Sequence, residues 1–299
     1  MDRPGARLPT FVVIGAFRCG TTSLYGYLRQ HPQVFLPLMK EPNYWAVDAN
    51  PDPGAELLSR SVRTRAEYDR LYADVRPEQI AIGDISPEYL ANPWAVGRIR
   101  ANMPDARLVA ILRNPVDRAW SDFLLHVRDG NEPLRDFAAA LDAQADRVAA
   151  GEPSGHYLDS GRYGEQLRRY LEVFDREQLL VLLFEDLHRD TTQVLRSVFT
   201  HIGVDPGFVP VRLDAVNASG IPTNRAVATA LRLRKYARPL VDRRLVERLR
   251  PGYERLVTRF LDKPTLDPAL RARLVEEFRP DIELLQELIG RDLSGWTRV

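Results

Sequence analysis

Cysteine is nearly absent: Cys19 is the only one among 299 residues. A single thiol excludes an intrachain disulfide framework and a cysteine-rich zinc site, so the fold must rest on an ordinary hydrophobic core. An excess of either charge is also lacking. Lys and Arg number 42 against 41 Asp and Glu, a net charge of +1. That balance argues against a dedicated nucleic-acid binder, although it leaves room for a local basic groove. No uninterrupted apolar run approaches the roughly 18–20 residues of a membrane span. The stretch Met1 to Pro9 is polar and has no apolar signal core. Repeats of fixed period, low-complexity tracts and a clear interdomain linker are missing as well. The composition, 44% hydrophobic and 28% charged, is that of a soluble globular protein. A chain of this length buries about 75% of its unfolded surface. The expectations are a single domain over residues 1–299, a cytoplasmic enzyme, and no nucleic-acid or membrane partner; oligomeric state is not legible.

Apolar runs rich in β-branched residues predict strands at Phe11 to Ile14, Ala106 to Leu112 and Leu179 to Phe184. Helical spacing predicts helices over Thr22 to Gln30, Tyr163 to Phe174 and Thr191 to Ile202. Another should start after Pro115, with Val116, Ala119, Trp120 and Phe123 on its inner face. His31-Pro32 should stop the first helix, because the residue before proline avoids the helical region. Strands alternating with helices imply an α/β fold, a central parallel sheet flanked by helices on both faces. Ala49 to Gln79 reads as polar and irregular or helical, Asn217 to Asn224 as a loop, and Arg225 to Arg250 as a basic stretch.

Gly15-Ala16-Phe17-Arg18-Cys19-Gly20-Thr21-Thr22 joins the first strand to the first helix. It has the G-x-x-x-x-G-K-[ST] spacing of a nucleotide phosphate loop, with Thr21 in place of the lysine. Backbone N–H groups at a helix N-terminus, helped by the helix dipole, form an anion cradle without that lysine. Thr21, Thr22 and Ser23 add hydroxyls, and Arg18 adds a full charge. The missing lysine, and a second strand ending in Arg113 rather than an acid, point to an anionic nucleotide bound without a metal. Glu185-Asp186 could still supply an acid, and the plain alternative is a glycine turn with threonine caps.

Val109-Ala110-Ile111-Leu112-Arg113-Asn114-Pro115 is followed by Ser121, eight residues beyond Arg113. Together with Gly15 to Leu24, this resembles the sulfotransferases that use 3′-phosphoadenosine 5′-phosphosulfate (PAPS). The resemblance implies a P-loop-type three-layer sandwich. It implies that Arg18, Cys19, Gly20, Thr21, Thr22 and Ser23 cradle the 5′-phosphosulfate, and that Arg113 and Ser121 take the 3′-phosphate. An arginine fork suits a phosphate dianion; the contrasting reading pairs Arg113 with an acid. Arg118 reads as structural or as a neighbour of Asp117 and Asp122. Gly83 to Leu90 is similar to the family's acidic-x-Ser/Thr-Pro-x-Tyr segment. Ser160 to Leu167 is similar to its G-x-Y-x-x-Q-L stretch, which makes Tyr163 a cofactor contact, and Leu182 to Leu187 to its E-D-L strand end. Asn217 to Arg225 falls where the family places a cofactor-covering loop. The likeness covers about residues 10–230; residues 231–299 read as a helical C-terminal part.

Sulfuryl transfer needs a base for the acceptor's proton and positive charge for the leaving phosphate oxygen. Pro37 to Trp45 resembles the K-E-P-x-[FY]-[FW] segment of bacterial sulfotransferases, which implies Glu41 as the base. A solvated Lys40–Glu41 pair is the alternative, and among the five histidines His126 is the runner-up. Arg18 stands where the family has lysine, so the leaving group is assisted by Arg18 or by Lys40. Cys19 reads as a small packed residue rather than a reactive thiol. The acceptor is expected to be a hydroxyl on a carbohydrate or other small natural product, with no metal required. Acceptor contacts are expected from Asn43 to Asp52, Ser86 to Tyr89 and Val127 to Pro153. A metal-dependent nucleotide kinase is the rival enzyme; a nucleotide-binding regulatory module without turnover is the rival of another class.

Overall fold

A computed structural model describes residues 7–48, 50, 55–150, 156–211, 221–222, 260–262 and 264–298. In chain order the elements are β1 (Phe11–Gly15), α1 (Thr21–Leu28), β2 (Val34–Phe35), α2 (Tyr44–Val47), α3 (Ala55–Arg60), α4 (Arg65–Arg70) and β3 (Ala81–Ile85). Then come α5 (Glu88–Ala91), α6 (Pro93–Asn102), β4 (Arg107–Leu112), α7 (Pro115–Asp129), α8 (Phe137–Asp142), α9 (Gln144–Ala149) and α10 (Tyr163–Leu171). The last are β5 (Leu179–Leu183), α11 (Phe184–Arg189), α12 (Thr191–Ile202), β6 (Ile221–Pro222), β7 (Leu261–Asp262) and α13 (Pro268–Ile289). The described residues fall into two compact units. The first draws on Met1–Arg113, Arg162–Asp214 and Asp281–Leu293, the second on Asn114–Gly161, Ala215–Pro280 and Ser294–Val299.

In the first unit five strands form one sheet in the order β2-β3-β1-β4-β5. All its pairings are parallel, with Val12 facing Asp84 on one side and Leu108 on the other. β1 is central, and Phe11, Val12, Val13 and Ile14 are fully buried. Side chains that are apolar on both faces need cover on both, which is why parallel strands read as unbroken hydrophobic runs. Each such side chain stabilises the fold by about 1.5–3 kcal/mol. The sequence reading does not include β2 or β3. β2 has two residues, and Gly83 and Asp84 interrupt the apolar character of β3. The strand expected to run through Phe184 stops at Leu183, and Phe184 opens α11. Glu185 and Asp186 then lie in a helical first turn, where the helix dipole favours acids. α12 has the expected bounds: the Asp190 carboxylate accepts from the Gln193 N–H at 2.9 Å, and Gly203, at φ 77, ends the helix.

In the second unit α7 starts at Pro115. The Asn114 Oδ1 accepts from the Val116 N–H (3.0 Å) and the Asp117 N–H (3.3 Å), and its Nδ2 donates to the Trp296 carbonyl at 3.2 Å. Val116, Ala119 and Phe123 are buried as expected. Trp120 departs from the expectation: it is only half-buried, stacked on Phe123, with its indole N–H donating to the Pro264 carbonyl at 3.2 Å. The fully buried Arg118 pairs with Asp122 at 3.1 Å and donates to the Tyr157 carbonyl. β6 and β7 pair antiparallel. Apart from 221–222, the loop expected at Asn217 to Asn224 lies outside the described residues, as does the basic stretch Arg225 to Arg250. No helix among the described residues is long and apolar enough to cross a membrane.

Candidate active site

The chain leaves β1 toward β2 on one side of the sheet and leaves β4 toward β5 on the other. The carboxyl ends of β1 and β4 are therefore the switch point of the sheet, the place where α/β sheets bind ligands. Residues 16–20 follow β1 there, and Arg113 follows β4. The next carboxyl end on the other side of β1 is that of β3. There the Glu41 N–H donates to the Ile85 carbonyl at 3.1 Å, and the Ser86 N–H donates to the Val13 carbonyl at 3.1 Å. Three neighbouring strands thus bring the residue 16–20 loop, Arg113 and Glu41 to one edge of the first unit.

The loop is shaped to leave the start of α1 open. The Leu24 N–H makes the first intrahelical bond, to the Gly20 carbonyl at 3.1 Å, so the N–H groups of Thr21, Thr22 and Ser23 precede it. No side chain caps this end, and the first turn holds no acid. Gly20 sits at φ 93, a conformation that favours glycine, and a Cβ there would lie 3.0 Å from the Phe184 ring, a tight contact. Arg18 takes φ 69 within the loop, a left-handed conformation that a non-glycine residue holds only at a cost. Cys19 is buried, its Sγ 3.5 Å from the Tyr163 Oη, which brings the two expected cofactor residues together. This packing is the role read for the thiol.

Arg113 is half-buried, with its guanidinium 4.8 Å from the centre of the Phe184 ring. Among the described residues no acid pairs with it, so the contrasting reading of Arg113 finds no partner. Phe184 was missed at the sequence level because it reads as the end of a strand. Asp186 pairs with Arg189 and Arg291, which commits it to structural ion pairs.

Glu41 stands on an unusual turn. It takes φ 62 and Asn43 takes φ 51, on either side of Pro42. Its carboxylate pairs with the Lys40 ammonium, both side chains being partly sheltered. Asn43 is 1% exposed, and neither end of its amide has a hydrogen-bond partner among the described residues. The same segment is tied to Asp84, a fully buried carboxylate in β3. Asp84 accepts O–H bonds from Ser86 (2.7 Å), Tyr68 (2.8 Å) and Tyr89 (2.8 Å). Burial pushes its carboxyl up to about 6, against the three hydroxyl bonds that lower it. This hub was legible only as part of a motif. An acid in the middle of a strand between neutral residues was its signal, because a buried charge demands partners.

Ser121 is buried on α7, in the second unit. His126 belongs to that unit too, its Nε2 3.5 Å from the Asp122 Oδ1 and its ring edge-on to Tyr157. Of the other histidines, His31 is buried with its Nε2 3.1 Å from the Asp205 carbonyl. His201 meets the carbonyls of Leu108 and Gln178, and burial lowers its pKa. Among the described residues no three His, Cys, Asp or Glu side chains are gathered as a metal site.

A family model described as "Sulfotransferase family" matches residues 9–207. The crystal structure of a sulfotransferase from Alicyclobacillus acidocaldarius aligns with a TM-score of 0.76 at 32% identity, covering 98% of this chain and 100% of that one. Carbohydrate sulfotransferase 15 of Homo sapiens is 27% identical over 252 residues, 67% of this chain and 44% of the relative. Bifunctional heparan sulfate N-deacetylase/N-sulfotransferase 2 of Homo sapiens is 24% identical over 220 residues, 67% of this chain and 22% of the relative. The chain thus matches less than half the length of these curated relatives.

Proposed function

The chain belongs to the sulfotransferase family, and we propose that it moves a sulfuryl group from PAPS to a hydroxyl of a carbohydrate or natural product. The observation that carries this reading is the N-terminus of α1, uncapped by any side chain, beside an arginine that no acid pairs with among the described residues, at the switch point of the sheet. Both present donor groups suited to an anion, and they stand on adjacent strand ends, as a donor with two phosphate-bearing ends requires. The names of the relatives support a carbohydrate acceptor.

When bound, the donor supplies an electrophilic sulfuryl group and a phosphate leaving group. The N–H groups of Thr21, Thr22 and Ser23 would hold the 5′-phosphosulfate. Arg113 would hold the 3′-phosphate with its guanidinium fork, kept in place by Phe184. Ser121 is assigned to the same phosphate on its sequence motif alone. Glu41 would take the acceptor's proton as the new oxygen–sulfur bond forms, in line with the breaking bond to the phosphate oxygen. Arg18, in the loop, would meet the charge that grows on that oxygen. Lys40 pairs with Glu41 and so orients the base.

The test is thermal unfolding with 3′-phosphoadenosine 5′-phosphate (PAP) against ATP with magnesium. A ligand at about 100 times its Kd stabilises the native state by roughly 2.7 kcal/mol. PAP should raise the Tm and ATP with magnesium should not; the reverse would favour the kinase. Transfer of label from PAPS to a panel of polysaccharides and phenols then identifies the acceptor.

A further inference from the structure

We propose that Asp84 is a positioning residue for sulfuryl transfer, setting the direction of a buried hydroxyl network that holds the Asn43–Trp45 backbone and, through it, Glu41. The proposal rests on the reading of Glu41 as the base.

The argument is one of hydrogen-bond direction. An ionised carboxylate only accepts. The O–H protons of Ser86, Tyr68 and Tyr89 all point to Asp84, so the lone pairs of those oxygens face outward. Each of them receives an N–H from the segment after Glu41. The Asn43 N–H donates to the Ser86 Oγ at 3.1 Å and the Trp45 N–H to the Tyr89 Oη at 3.4 Å. The Trp45 indole N–H donates to the Tyr68 Oη at 3.0 Å. A neutral acid or an amide at position 84 would bring a donor of its own to the hub. One hydroxyl would then have to reverse and turn its proton away from position 84, which disturbs the geometry of the N–H bond it accepts from the 43–45 segment.

The segment needs this restraint. Glu41 and Asn43 are both left-handed, and the Asn43 amide is buried without partners among the described residues. Such features persist only where the surroundings over-determine them. The titratable groups facing Asp84 are Tyr68, Tyr72 and Tyr89, all raised by burial and by the Asp84 charge. Asp84 is therefore the group that changes state near neutral pH, and the network keeps its direction only above its titration.

Full-length Asp84→Asn, Ser86→Ala and Tyr89→Phe test this by amide exchange of the peptide covering residues 41–47. Asp84→Asn should speed that exchange at least about tenfold, while residues 16–22 and the affinity for PAP stay within about twofold. In the wild type the peptide should lose extra protection below about pH 6, and in Asp84→Asn this step should vanish. With desulfated heparin as the acceptor probe, kcat should fall about tenfold to a hundredfold, the scale of a small misplacement of a reacting group, with the acceptor KM nearly unchanged. If Asp84→Asn does not fold, the two hydroxyl variants carry the same test on the Asn43 and Trp45 amides. Unchanged exchange at 41–47, or a loss of protection spread evenly over the chain, would overturn the proposal. Full turnover in Glu41→Gln would instead overturn the base while the exchange result for Asp84 still stands.

Discussion

Single side chains carry the chemistry, and two of them can be tested directly. Arg113 has a charge, a ring beneath it and no acid partner among the described residues. Arg113→Ala should weaken PAP binding by about 1.5–3 kcal/mol, the scale of a charge-assisted hydrogen bond, or roughly ten- to a hundredfold in Kd. Unchanged affinity in calorimetry would remove the assignment. Glu41 pairs with Lys40 and is tied by its backbone to the end of β3. Glu41→Gln keeps the size but cannot accept a proton, so turnover should fall by about 10²–10⁴ with PAP affinity nearly intact. A variant His126→Gln that loses activity while Glu41→Gln keeps it would move the base to α7. Arg113, Glu41 and the loop residues stand out in the sequence as candidates, because each belongs to a short motif whose residue types suit anion or proton chemistry. Phe184 and Asp84 were not legible in their roles. A ring becomes a support, and an acid a hub, only when distant segments meet them.

At the scale of elements, β1 and the loop after it leave no spare room. A Cβ on Gly15 would lie 2.5 Å from the Leu90 Cβ on α5, too close to relieve by turning a side chain. Gly15→Ala should cost about 1–3 kcal/mol, as overpacking does, and should lower the urea midpoint with an unchanged m-value. α7 depends on Asn114, which caps two N–H groups and also donates to the Trp296 carbonyl. Asn114→Ala should cost about 0.5–2 kcal/mol, and Asn114→Asp should recover the cap but not the bond to Trp296. The apolar runs of β1, β4 and β5 and the capped α12 were predictable because local pattern and final burial agree there. β3 was not, since its Gly83 and Asp84 serve close packing and the network rather than hydrophobic pattern.

At the scale of the whole molecule, Asp84 leaves a signature in stability. Its folded carboxyl is pushed up to about 6 by burial, against about 4 in an unfolded chain. Between those values the native state holds a proton that the unfolded state has released. Its contribution is therefore fully present below about pH 4, lost as pH rises to about 6, and constant above that. Two units correspond to about 3 kcal/mol at most. Glu67, Glu132 and Glu276, held below their usual range, act in the opposite sense as pH falls. The informative quantity is thus the stability of wild type minus that of Asp84→Asn, which should decline between about pH 4 and pH 7. A flat difference would show that Asp84 titrates normally. The carboxylate costs stability at neutral pH, which agrees with its being kept for the direction of the network.

The sequence by itself determined the class of fold, the family and the position of the loop proposed to hold the anion. These depend on residues close together in the chain: an apolar run, a glycine turn and a helix start in one stretch, a strand and its terminal arginine in another. Tertiary structure alone decided which side chains support them. The ring under Arg113 comes from 71 residues further along. The hub beneath the Glu41 turn gathers Tyr68, Ser86 and Tyr89 around Asp84 and reaches back to Asn43 and Trp45. Local spacing cannot specify such meetings, because they follow from strand order. Pairing β3 beside β1 sets the Asp84 strand under the Glu41 turn, and that pairing is selected by burial of the whole sheet rather than by any single segment.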